Sequence, residues 1–105
     1  MKPPRTVRII GRTYEIAVVP SDHDILNNDD GANLLGRVDH NKQRIAISDE
    51  QCLEAMQDTL MHEIVHAVES CMNITVSETA VTRFATGLLA VLRENPKVVE
   101  YLLRR

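Results

Sequence analysis

QRIAISDEQCLEAMQDTLMHEIVHAVESCM, residues 43–72, changes its hydrophobic period partway along, and that change sets the fold class. Ile45 and Ile47 alternate with Arg44, Ala46 and Ser48, the period-2 pattern of a strand with one face on a core. Beyond Ser48 the repeat becomes helical, with Leu53, Leu60, Ile64, Ala67 and Cys71 on one stripe. Ser48 and Gln51 form a capping-box pattern and Asn73 is a stop signal, so the spacing predicts a helix over residues 49–72.

Upstream, residues 6–10 and 13–19 read as two strands joined at Gly11-Arg12, with Tyr14, Ile16 and Val18 sharing a face. Residues 34–39 and 43–48 flank His40-Asn41-Lys42 as a second hairpin. Between the hairpins, residues 20–33 are dense in Pro, Asp, Asn and Gly and are expected to form a surface loop. Downstream, Val81, Ala85, Leu88 and Leu92 make the inner stripe of a helix over residues 76–94, with Phe84 and Leu89 beside it. Asn95-Pro96 interrupts that pattern, and Pro96 opens a short third helix carrying Val98, Val99, Leu102 and Leu103. Strands first and helices after predict an α+β fold: a small antiparallel sheet of two hairpins packed on two to three helices, in one domain over residues 1–105.

With 105 residues, 44% hydrophobic and 26% charged, the chain has an ordinary globular composition, enough for one modest core and a shallow site. A net charge of −3 argues against a protein whose work is neutralising phosphates, so nucleic acid is not an expected partner. No apolar run approaches the roughly 18 residues of a membrane span, and the opening stretch lacks the apolar core of a signal peptide. A cytoplasmic protein without a membrane partner is expected, with Cys52 and Cys71 as free thiols.

The chemistry lies at His62-Glu63-Ile64-Val65-His66, inside the long helix. Four residues of α-helix turn through about 400°, which sets both imidazoles on one face, one turn apart, within reach of a single ion. Imidazole nitrogen suits zinc, although two histidines and a carboxylate also accept other divalent ions. Glu63 is then placed to take a proton from an activated water, the role of a general base.

A catalytic zinc needs a third protein ligand. The metzincin pattern would put Gly at 69 and His at 72, where this chain has Glu69 and Met72. Glu78 is the preferred candidate, because it shares the stripe of Val81, Ala85, Leu88 and Leu92, and an inward carboxylate needs a partner. In the competing reading Glu78 only closes a capping box with Thr75. Glu69 is the reserve ligand, better suited by its i+3 spacing to a hydrogen bond with His66, and His23 or His40 could fold in from loops.

The run Leu-Met-His62-Glu63-Ile-Val-His66-Ala-Val-Glu, followed by Ser-Glu78-Thr-Ala-Val-Thr-Arg-Phe-Ala and then Asn-Pro, resembles the small zincin-like metallopeptidase domains of phages and prophages. These are minimal gluzincins in layout and, more loosely, ImmA/IrrE-type peptidases. The similarity covers about residues 34–103. It implies a strand beside the site, His62, His66 and Glu78 as ligands, and Glu63 as base. Zincins commonly bind substrate as an added strand, and residues 43–48 are an edge that could serve for it or equally be a capped edge. Tyr14, Tyr101, His40 and Arg83 are all available to stabilise an oxyanion.

Two functions follow as expectations. One is a zinc-dependent peptidase cleaving a polypeptide with water activated by Glu63. The other is a metal-binding module of the same fold that acts through protein–protein binding, since few aromatic residues, 3%, are available to anchor a substrate.

Overall fold

A computed structural model describes residues 1–27 and 34–105. Four strands, β1 (Thr6–Ile9), β2 (Arg12–Val19), β3 (Gly36–Asp39) and β4 (Arg44–Ser48), precede three helices, α1 (Leu53–Met72), α2 (Glu78–Glu94) and α3 (Pro96–Leu103). The fold is α+β, as the order of the patterns requires.

Both hairpins form. In the first, Ile10 and Gly11 both take positive φ, 47° and 82°, the geometry of a two-residue turn whose twist matches its strands. The turn therefore falls one residue earlier than Gly11-Arg12. The sheet, however, is mixed and not antiparallel: its order is β1-β2-β4-β3, and β2 runs parallel to β4 with Ile16 opposite Ile45 and Val18 opposite Ile47. A parallel pair needs a long crossover. The connection between β2 and β4 includes β3, which lies at the far edge of the sheet and from which the second hairpin folds back inward.

That topology moves the free edge. Residues 43–48 cannot receive an added strand, because β4 is paired on both sides, and the edges are β1 and β3. Being central, β4 is buried on both faces: Ile45 and Ile47 meet the helix layer, and Ala46 and Ser48 are sealed as well. A short 3-10 turn at Asp24–Leu26, within the stretch expected as plain loop, packs Leu26 against β3 and β4. Residues 28–33 of that expected loop lie outside the described residues.

α1 lies across the sheet. Met56, Leu60, Ile64, Ala67, Val68 and Cys71 face Val7, Tyr14, Ile45 and Ile47, and each large side chain so buried contributes about 1.5–3 kcal/mol. Leu53, at the start of the same stripe and beside Met56 and Leu60, is exposed. The helix begins four residues later than the capping-box pattern suggests. Gln51 is engaged elsewhere, donating from Nε2 to the carbonyls of Ser48 (3.0 Å) and Leu35 (3.2 Å), which ties the end of β4 to the strand before it. Cys52 is the N-cap, without a side-chain bond. At the other end Asn73 takes the left-handed conformation (φ 54°, ψ 46°) that closes a helix.

α2 packs on α1 through Val81 and Ala85, which are buried, whereas Leu88, farther along the same stripe, is exposed and Leu92 is marginally so. α3 opens on Pro96 and packs on α2. Both cysteines are unpaired; the Cys71 thiol lies 4.0 Å from the Tyr14 hydroxyl. Among the described residues, no helix is long and apolar enough to cross a membrane.

Candidate metal centre

The i,i+4 spacing in α1 brings the Nε2 atoms of His62 and His66 to 3.1 Å, with the ring centroids 4.8 Å apart and the planes at 68°. A five-residue link then reverses the chain. The Ser77 hydroxyl accepts the Ala80 N–H at 3.1 Å and caps α2, which makes Glu78 the first helical residue and excludes the box with Thr75. From there Glu78 Oε1 reaches His62 Nε2 at 2.7 Å and Oε2 reaches His66 Nε2 at 3.0 Å. The side chain stands at the mouth of the site, 68% exposed, rather than in the helix–helix seam its stripe suggests.

Donor atoms of three side chains from two helices thus converge. Ligands about 2.0–2.1 Å from a tetrahedral zinc stand roughly 3.3 Å from one another, so an ion asks these contacts to spread by about 0.2–0.6 Å.

Glu69 does not join them. Its Oε1 is 2.8 Å from His66 Nδ1, and its Oε2 accepts the Val76 N–H at 2.8 Å. The carboxyl is held below its ordinary range, chiefly by the Val76 N–H and then by His66, with His40 adding a smaller attraction. This bond places the His66 proton on Nδ1 and leaves Nε2 as a bare lone pair directed at the cluster. It also anchors the α1–α2 link that carries Glu78.

Glu63 is 5% exposed, and a carboxylate oxygen of it and a ring nitrogen of each histidine lie within 4.8 Å of one another. Burial pushes its carboxyl up to about 7; the negative charge of Glu78 adds to the rise and His66 opposes it. Its cover comes from β3. At Gly36 the strand approaches α1 so closely that a Cβ would collide with Thr59 Cγ2 and sit 3.3 Å from Glu63 Cγ. Sequence reading passed over this glycine, although a glycine inside a strand pattern is itself a signal of close backbone approach.

A cleft of about 820 Å³ runs between residues 34–38 and the α1–α2 pair and is lined by His62, Glu63, His66, Glu78 and His40. The other residues singled out from sequence lie elsewhere. His23 uses Nδ1 to cap the Ile25 N–H at 3.2 Å, beside a separate hollow. Tyr14 is fully buried, Tyr101 is exposed on α3, and Arg83 borders a different hollow with Ser77 and Phe84. Comparison with known proteins finds no matching family model, no matching curated protein and no matching solved structure.

Proposed function

We propose that this chain is a zinc-dependent peptidase acting in the cytoplasm on an extended polypeptide. The observation that carries the reading is the meeting of the Glu78 carboxylate with both Nε2 atoms across two helices, 2.7 and 3.0 Å away, at a pair of histidines already spaced for one ion. Bound there, zinc would supply Lewis-acid activation of water and of the scissile carbonyl. Glu63, sheltered between α1 and β3, takes the water's proton and returns it to the departing amine. Glu69 keeps the His66 ring oriented. The free edge of β3 borders the cleft and offers backbone groups to an extended peptide, the place vacated by β4. The resemblance to small phage-type zincins agrees with this assignment.

Metal analysis of purified protein beside its His62→Ala variant tests the site: about one zinc per chain is expected in the first and none in the second, and equal content in both refutes it. Glu63→Gln is expected to keep the metal and lose cleavage of a peptide library. A second reading, a metal-binding module that works by protein contact, draws on the exposed apolar residues Phe84, Leu88, Val91, Tyr101 and Leu102 of α2 and α3. Metal without cleavage in the unmodified chain would favour it.

A further inference from the structure

A peptidase of this kind needs a hydrogen-bond donor where negative charge develops on the carbonyl oxygen, and sequence leaves four candidates for it. The fold separates them. Of Tyr14, Tyr101, Arg83 and His40, only His40 lines the cleft that holds His62, Glu63, His66 and Glu78. It follows β3 directly, in the turn to β4. Asp39 fixes that turn, its Oδ1 accepting the N–H groups of Asn41 (3.0 Å) and Lys42 (3.1 Å), so the His40 backbone is held from both sides.

The ring itself is in an unusual state. His40 Nδ1 is buried and has no hydrogen-bond partner among the described residues. A buried N–H without an acceptor is the costlier of the two ways to leave that nitrogen, which places the proton on Nε2. Nε2 is then the donor left for a ligand. Outside the metal-binding set, three other side chains on the cleft can donate: Thr59 already donates to Gln51 Oε1 at 2.7 Å, Arg37 and Thr82 are exposed, and Arg37 already donates to the Asn27 carbonyl at 3.1 Å. A donor in a half-buried position is the more effective one, because water competes less for the developing charge.

We propose that His40, from the β3–β4 turn, donates its Nε2–H to the oxyanion of the tetrahedral intermediate; the inference rests on the peptidase reading above. The water oxygen bonds to the carbonyl carbon while the π pair moves to the carbonyl oxygen and the water proton passes to Glu63. That proton then goes to the amide nitrogen as the carbon–nitrogen bond breaks. His40 lends a hydrogen bond throughout and transfers no proton.

The probe is a phosphonate peptide, whose tetrahedral phosphorus carries the oxyanion without reacting, titrated calorimetrically into zinc-loaded protein, with acetohydroxamate as a small chelating control. His40→Leu is expected to weaken the phosphonate by about 100-fold or more and the hydroxamate by little. His40→Gln, which retains an N–H donor, is expected to recover much of that affinity. Zinc content and melting temperature of both variants should match the unmodified chain. Equal phosphonate affinity in His40→Leu overturns the inference alone, and loss of zinc in that variant overturns it by making His40 a ligand. An unmodified chain that takes up no zinc overturns the peptidase reading and this inference with it, a result separable from the others because it appears before any variant is made.

Discussion

Gly36→Ala tests the packing on which the site depends. The added Cβ meets Thr59 Cγ2 first, with the Ala46 carbonyl oxygen and Glu63 Cγ each at 3.3 Å behind it. Thr59 cannot simply rotate its methyl away, because its hydroxyl donates to Gln51 Oε1 at 2.7 Å, and breaking that bond costs about 1 kcal/mol. Otherwise β3 must lift off α1, and overpacking of this kind costs about 1–3 kcal/mol. Either route gives a loss of about 1–3 kcal/mol. At about 4–8 °C per kcal/mol for a domain near this size, the melting temperature should fall by about 4–20 °C. Thermal denaturation followed by circular dichroism measures it. The decisive arm is the double variant. Thr59→Ser deletes the colliding methyl and keeps the hydroxyl, so Gly36→Ala with Thr59→Ser should regain most of the loss, a coupling within the range for residues in contact. A Gly36→Ala melting temperature within about 2 °C of the unmodified chain, or a double variant no more stable than the single one, refutes the close approach of β3 to α1.

Other expectations follow from the same geometry. Glu69→Gln should weaken zinc about 10- to 100-fold by loosening His66, and Glu78→Ala should weaken it more; the reverse ranking in a competition titration would exchange their roles. Zinc at 100 times its Kd should stabilise the fold by about 2.7 kcal/mol, read as a rise in melting temperature that a chelator reverses. Ser77→Ala removes the cap of α2 and should cost about 1 kcal/mol in denaturant unfolding, with weaker zinc binding because Glu78 is the next residue. Asn73→Ala, at φ 54°, should cost about 1 kcal/mol, whereas Asn73→Gly should be close to neutral; equal stability of the two would remove the strain argument.

What the sequence made legible is what local periodicity encodes. The four-residue interval between His62 and His66 needs only an α-helix to become a pair of facing imidazoles, and the short link to Glu78 needs only a tight reversal. The parallel pairing of β2 with β4 was not legible, because alternation reports which face of a strand is buried and says nothing of its neighbour's direction. For the same reason alternation assigns Ala46 and Ser48 to an outer face, yet both are buried, and the turn at Asp24–Leu26, from a stretch whose chemistry looks like surface, packs on β4. With β4 taken as an edge, the strand that borders the cleft was misplaced by one position in the sheet. Leu88 and Leu92 fit the inner stripe of α2, yet the stripe outlasts the contact that buries Val81 and Ala85.

The proposed cation would do here what a proton cannot. With the His66 proton on Nδ1 toward Glu69, the His66 Nε2 lone pair faces His62 Nε2 at 3.1 Å and Glu78 Oε2 at 3.0 Å. A proton on His62 Nε2 serves its 2.7 Å contact with Glu78 and leaves the contact between His66 and Glu78 as two opposed acceptors. Protonating both rings fills that gap but sets two positive charges side by side, a repulsion of about 5 kcal/mol at this separation for an effective dielectric constant near 20. One divalent ion answers all three lone pairs at once. Bridging both rings asks Glu78, a side chain largely in solvent, to give up a rotamer entropy of about 1.5–2 kcal/mol, which coordination would offset. A coordinated carboxylate is fixed by the ion it shares with α1, so the metal would close the α1–α2 angle as well as assemble the site.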